Sequence, residues 1–377
     1  MIMKKIFDIY FEELHRCIKD LGVMVFFILV PMGYPILYTY IYSHEVVRNI
    51  PIAVCNMSNS SEGRSFAQKV DASPEVAIKR YCSNFLEAKE LMAENKVKGI
   101  VYIPHEFGKM LNRGEQAHVS IYCSMASLFY YKAMLIVCTE VSISMNKEIQ
   151  KKMLRGDTER QAEVAVSPLR FEAVNIANST TGFANFVIPA ILVLILQQTL
   201  LLGIGMRMGS DRERGVPIKA ESTSGTLAML AGRSAAYFTI YIPVTAYILC
   251  VVPAIFSLSQ LSRPLVLATF MLPFLLACIF LAVSAGHLVR ERESCMLLFV
   301  FTSVPFLFLS GISWPESSVP PFWKAVSYLL PSTPGINGFV SINETGATLS
   351  DVIKDYRLLW TQAVIYGFIA FFTTKKR

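Results

Sequence analysis

Asp211, Arg212, Glu213 and Arg214 follow one another and end on Gly215. Orienting a membrane protein needs arginines but not Asp211 and Glu213, so the mixed signs suit docking to a soluble partner. Charges that are merely solvated are the alternative. Elsewhere the residue types that do chemistry are dispersed. His15, His44, His105, His118 and His287 have no HExxH spacing or carboxylate pairing. The eight cysteines, Cys17, Cys55, Cys82, Cys123, Cys138, Cys250, Cys278 and Cys295, include no CxxC pair, which argues against a zinc or dithiol centre. Gly108-Lys109 is followed by Met110 and lacks an upstream glycine, so no phosphate-cradling loop is present. No catalytic, cofactor-binding or metal site is expected on this chain. An energised function would need its motor on another one.

The elements that position this run are marked by missing charge. No Asp, Glu, Lys or Arg occurs in Leu21–Ser43, Ala173–Met206, Ser234–Ser262, Pro264–Val289, Ser294–Pro315 or Leu358–Thr374. A spanning helix needs about 20 apolar residues to cross ~30 Å of hydrocarbon. A central charge costs roughly 2.5–3.5 kcal/mol on insertion scales. The expected fold is therefore an α-helical polytopic membrane protein with six transmembrane helices, at 21–43, 183–206, 234–256, 264–289, 294–312 and 357–374. The only long hydrophilic segment, 44–172, is expected as an extracytoplasmic α/β domain inserted between the first and second spans.

Of 377 residues 53% are hydrophobic and 17% charged, with a net charge of +7. Position decides what the positive balance means. Lys4, Lys5, Arg16, Lys19, Arg207, Arg212, Arg214, Lys219, Arg233, Arg290, Arg292, Lys375, Lys376 and Arg377 all fall on one side if the spans alternate. By the positive-inside rule that side is the cytoplasm and both termini lie there. With no clustered aromatic and basic surface, nucleic acid is not an expected partner. The start of the chain, 1–20, is too acidic for a cleavable signal. Its Ile6, Tyr10, Leu14, Cys17 and Leu21 recur at helical spacing, predicting an amphipathic helix in the cytoplasmic interface, or else a simple extension of the first span.

In the hydrophilic segment, strands are expected at Ile50–Asn56, Glu75–Tyr81, Gly99–Ile103 and His118–Cys123, with helices near Glu62–Val70 and Asn84–Asn95 and a short one in HEFGKMLNRG. Such alternation implies a small α/β domain on one sheet. A long helix follows, first apolar and then charged through Glu163; Lys132 and Glu140 argue against its being a span. A Cys55–Cys82 bridge is conceivable because both cysteines follow strands, and free thiols are equally compatible.

Polar groups inside spans usually face protein or a cavity. Asn185, Gln197 and Gln198 in the second span, and Tyr34, Tyr38 and Tyr40 in the first, are such groups. Interhelical hydrogen bonding is the competing use. Pro31, Pro35 and Pro189 are expected to kink their spans. The segment 313–356 is too polar to cross and too apolar for an exposed loop, so short re-entrant or interfacial helices are expected, with Trp314, Trp323 and Tyr328 at headgroup depth.

Taken in order, an amphipathic helix, one span, an external α/β domain and five spans with the charged loop 207–233 after the second, the chain resembles the permease subunit of a type 2 ABC exporter along essentially its whole length, in the drug-exporter-like branch. Asp211, Arg212, Glu213 and Gly215 fall on the first half of that family's E-R-E-x-G-T-x-E-x-L loop, while VPIKAES departs from the second half. The hairpin residues Pro331, Gly335, Gly338 and Asn343 in PSTPGINGFVSIN are similar to the family's outer hairpin. The resemblance implies a subunit without enzyme activity, in a bacterial inner membrane among membrane lipid. Its partners would be a cytoplasmic ATPase that binds ATP and magnesium, a second permease copy or paralogue, and in some cells a periplasmic adaptor and an outer-membrane channel. Spans one, two and five would line an outward path for a drug, a lipid-like compound or another amphipathic molecule. A membrane-anchored receptor or assembly scaffold, with the α/β domain as its binding module, is the competing class. A passive channel is disfavoured by the lack of a filter motif or acidic ring.

Overall fold

The computed structural model describes residues 2–42, 48–124, 128–153, 183–216, 220, 222–288, 291–311 and 318–375. The charged continuation beyond Met153, Lys219, Arg290, Trp314, Lys376 and Arg377 lie outside the described residues. The chain divides into two compact units, Met1–Glu45 with Val174–Arg377, and Val46–Ala173.

The first unit begins with α1 (Ile2–Lys19) and α2 (Leu21–Tyr42). The break between them is fixed by Asp20, whose carboxylate caps α2 by accepting from the Gly22 and Val23 N–H groups. Upstream of Pro31 and Pro35, α2 widens into a π-helical stretch at Val25–Leu29. Such widening is one way a helix absorbs the loss of proline's N–H.

In the second unit, β1 (Ile50–Asn56), α3 (Ser61–Asp71), β2 (Val76–Tyr81), α4 (Phe85–Ala93), β3 (Gly99–Ile103), α5 (Phe107–Asn112), β4 (Ser120–Cys123) and α6 (Leu128–Met153) follow in order. The sheet order is β2-β1-β3-β4, with β1 parallel to β2 and β3, and β4 antiparallel to β3. Parallel neighbours must be joined by crossovers, and α3 and α4 supply them. Each sheet face carries a core. One buries Ile52, Val54 and Val101 against Phe66 of α3 and Met134 of α6, and the other buries Ala53, Cys55 and Ile100 against Ala88 of α4.

The first unit resumes with α7 (Phe183–Glu213), α8 (Thr223–Ile255), α9 (Pro264–Gly286), α10 (Arg292–Leu309), α11 (Pro321–Ser327), α12 (Ser332–Thr345) and α13 (Ile353–Thr374). Among the described residues, four helices, α2, α7, α8 and α9, are long and apolar enough to cross a membrane. The central one is α7, whose apolar window is 94% buried. It reaches past the charge-free window to Glu213, and α8 starts at Thr223 rather than near 234. The connection expected over 207–233 is therefore mostly helix. Charge-free windows mark where charge is intolerable, and Arg207, Asp211 and Arg233 are tolerated inside helices because they neutralise one another.

Close helix approach depends on small residues. A Cβ on Gly335 would meet Phe274 at 2.5 Å and one on Gly338 would meet Phe270 at 2.2 Å, so both glycines admit α9 rings against α12. At Gly232 a Cβ would lie 2.9 Å from the Ile6 carbonyl oxygen, where α8 crosses α1.

Candidate functional site

Beginning at the charged run, the structure separates its residues. Asp211 is only 1% exposed, whereas Glu213, Arg214 and Gly215 are exposed at the end of α7. Asp211 belongs to an internal ion cluster drawn from three helices. Glu13 of α1 contacts Arg207 Nε of α7 at 3.1 Å and Arg233 Nε of α8 at 3.5 Å, and Tyr237 donates its hydroxyl to Glu13 at 2.7 Å. Asp211 contacts Arg207 Nη1 at 2.7 Å and Arg233 Nη2 at 3.0 Å. Glu13, Arg207 and Asp211 are each at most 2% exposed, so two carboxylates face two guanidinium groups with little water, and the half-buried Arg16 reaches Asp211 at 3.9 Å from the rim. Their contacts are partly charge contacts only, since Arg207 Nε and Asp211 Oδ1 have no aligned hydrogen bond. A buried pair of this kind is hard to break singly, because the survivor is an uncompensated charge.

A second node lies beside it. Asp20 accepts from Arg292 Nη2 at 2.6 Å and from the Ser210 hydroxyl at 3.0 Å, with Arg214 at 3.6 Å. Burial alone would raise its carboxyl, but the Ser210 hydrogen bond and the Arg292 charge hold it below the ordinary carboxylate range. Glu213 accepts the backbone N–H of Arg292 at 2.8 Å, and Arg212 donates to the His287 carbonyl at 3.1 Å. The Ala220 N–H donates to the Thr374 carbonyl at 3.0 Å, tying the α7–α8 connection to the end of α13. One end of this unit is thus stitched by ion pairs across α1, α7, α8 and α10.

The sequence does not mark Glu13: its pattern sets Ile6, Tyr10, Leu14, Cys17 and Leu21 as the apolar stripe of an interfacial amphipathic helix. Cys17 is buried, but beside it is Glu13, and Leu21 is 81% exposed. The apolar residues Phe7, Phe11 and Ile18 are exposed too, leaving α1 an outward apolar face.

The candidate path residues do not act together. Tyr34 and Tyr38 of α2, with ring centroids 4.9 Å apart, Gln198 of α7 and Phe299 of α10 line one groove of about 270 Å³ that contains no charged side chain. Gln198 is 7% exposed, and among the described residues neither its amide oxygen nor its amide nitrogen has a hydrogen-bond partner. Leaving such a buried group unpaired costs about 1–3 kcal/mol. Gln197 is fully buried, accepts from the Cys278 thiol at 3.8 Å and does not line this groove. Asn185 accepts the Ser259 N–H at 3.0 Å, in the connection between α8 and α9.

The hairpin residues meet at that same end. Asn343 donates to the Ser259 carbonyl at 3.0 Å, and its own carbonyl accepts the Leu261 N–H at 2.8 Å. Pro331 precedes α12, and its carbonyl accepts the Gly335 N–H at 2.9 Å. Gln362 of α13 donates to the Tyr328 carbonyl at 2.7 Å, and Tyr366 donates to that of Leu329. The backbone carbonyls of the chain leading into α12 thus find partners within the protein, although the Tyr328 and Leu329 side chains are exposed. From Asn185 to Asp211, α7 rises ~39 Å at ~1.5 Å per residue, so hairpin and ion cluster mark opposite ends.

Among the described residues, no His, Cys, Asp or Glu group is arranged to hold a metal ion. A central apolar helix of more than membrane length, wrapped by further apolar helices and sealed at one end by ion pairs, defines a helical membrane protein. The model of the ABC-2 family transporter protein matches residues 22–372, and the chain belongs to that family, whose members are the membrane subunits of ABC transporters. No curated protein matches the chain.

Proposed function

We propose that this chain is the permease of an ATP-driven exporter: six spans, both termini in the cytoplasm of a bacterial inner membrane and the α/β unit outside. In this reading α10 and α13 are the fifth and sixth spans. Two permeases, identical or paralogous, pair around an outward path. ATP and magnesium bind to a separate cytoplasmic ATPase, and an adaptor and outer channel continue the route where there is an outer membrane.

The observation that carries the path assignment is Gln198. A buried amide with both ends unpaired, facing a groove between three helices, is a preorganised hydrogen-bonding site without its ligand. The groove offers aromatic faces and one amide but no charge, so it suits an uncharged amphipathic substrate bound by a donor or acceptor group.

The ion cluster supplies the transmission. Glu213, the last residue of α7, and Arg214, in the turn after it, are both exposed and are the contact for the ATPase. Force applied there moves α7 together with α1 and α8, because Glu13, Arg207, Asp211 and Arg233 hold the three as a block. The test is reconstitution with the ATPase in vesicles. Gln198→Leu should leave the basal ATPase rate intact and abolish its stimulation by substrate, while Glu213→Ala with Arg214→Ala should uncouple hydrolysis from transport. Unchanged stimulation in Gln198→Leu would remove the groove from the path. A chain that moves no substrate with its ATPase but retains a soluble partner on the α/β unit would be a receptor or scaffold.

A further inference from the structure

Of the four cysteines in the α/β unit, Cys55, Cys82, Cys123 and Cys138, two lie at neighbouring strand ends. In the parallel pairing of β1 with β2, Val54 stands opposite Tyr81, and the Cys82 N–H donates to the Val54 carbonyl at 2.9 Å. Cys55 and Cys82 are the next two positions in that register. Adjacent strands lie about 4.7–4.9 Å apart, inside the roughly 4.4–6.8 Å between Cα atoms that a disulfide requires. Both side chains enter the same small core, beside Ala53, Ala88, Val97 and Ile100, so they share a sheet face. The Cys55 thiol points toward the chain just past Cys82, donating to the Asn84 carbonyl at 3.3 Å. Cys138, by contrast, is buried in the core on the other face.

We propose that Cys55 and Cys82 are joined by a disulfide in the mature protein, closing the β1–α3–β2 crossover at its open end. The inference rests on the external placement of this unit, since cytoplasmic thiols stay reduced. The chemistry needs an oxidant, a disulfide-bearing thiol oxidase of the oxidising compartment. One cysteine thiolate attacks the oxidant's disulfide to give a mixed disulfide, and the second displaces the oxidant's thiol. Two protons leave this chain, and two electrons reduce the oxidant to its dithiol. Burial pushes the Cys55 thiol up to about 12 and raises Cys82 as well, so neither is a ready nucleophile once packed. The bond therefore forms while the unit folds.

The full chain, expressed in its membrane, is treated with an alkylating agent under denaturing, non-reducing conditions and digested with trypsin. The proposal predicts the peptide Asn49–Arg64 linked to Tyr81–Lys89, with the linked species lost on prior reduction. Recovery of both peptides singly alkylated without reduction overturns it. Glu115→Cys, at an exposed position, separates the two layers of the argument. If spheroplasts expressing it gain labelling by a membrane-impermeant maleimide over wild type while Cys55 and Cys82 are alkylated unreduced, the disulfide is wrong and the topology stands. If that cysteine is shielded in intact spheroplasts and labelled after lysis, the external placement fails and the disulfide with it.

Discussion

Replacing Glu13 with Gln keeps the shape of the ion cluster and removes one charge. Glu13 is 2% exposed and faces two guanidinium groups, at 3.1 Å and 3.5 Å, and the Tyr237 hydroxyl. After Glu13→Gln, Arg207 and Arg233 share Asp211 alone, and a net positive charge stays buried. At an effective dielectric constant of about 20, each lost contact is worth roughly 5 kcal/mol of Coulomb energy. The saved desolvation of the carboxylate offsets part of this, and breaking one member of a buried pair typically costs about 3–5 kcal/mol. For units of 150–250 residues each kcal/mol lowers Tm by about 2–4 °C, so thermal unfolding of the purified chain in detergent should begin about 6–20 °C earlier. The control is Glu12→Gln, one residue away, where an exposed pair with Arg16 is worth at most ~1 kcal/mol. Combining Glu13→Gln with Arg207→Gln restores neutrality, so the double variant should lose clearly less than the sum of the singles. Equal effects of Glu13→Gln and Glu12→Gln, or strict additivity in the double variant, would refute the block of three helices.

Other substitutions probe the remaining contacts. Gly338→Ala drives a methyl group to 2.2 Å from Phe270 and should destabilise by about 1–3 kcal/mol, with Phe270→Leu recovering part of the loss; full stability of the single variant would show that α12 and α9 separate readily. Gly232→Ala meets backbone, the Ile6 carbonyl at 2.9 Å, and should loosen α1, which protease sensitivity at the N-terminus would report. Asp20 is held below the usual carboxylate range, so its contribution is complete above its unfolded value of about 3.9 and is lost as pH falls through the folded one. The Tm gap between wild type and Asp20→Asn should therefore be open at pH 7 and close below about pH 4; a gap independent of pH would contradict the charge pairing.

Local pattern was legible wherever one residue type settles the matter. The alternation in IPIAVCN marks the strand at Ile50–Asn56, and GIVYI bounded by Pro104 marks that at Gly99–Ile103. Apolar blocks located α2, α7, α8 and α9, and the Pro/Gly-rich segment after Leu309 gave the short helices α11 and α12. The ends of α7 and α8 were hidden because a charge breaks an apolar window on paper, whereas opposite charges from two helices cancel in space. Glu13 was missed for the same reason, since its partners lie in chain segments almost 200 residues or more away. Gln197 and Gln198 are adjacent and chemically alike. Only the position around α7 decides that one faces Cys278 and the other a groove, and no spacing rule resolves that before the neighbouring helices are placed.

The proposed outward movement of substrate by this member of the ABC-2 family depends on coupling through Glu213 and Arg214. Its most direct test is ATP-dependent flux in inside-out vesicles containing the chain and its cognate ATPase. Uptake into the vesicle lumen should require ATP hydrolysis and disappear in the Glu213→Ala, Arg214→Ala variant while the ATPase stays bound and active. Uptake that persists in the variant, or flux in the opposite direction, would contradict it.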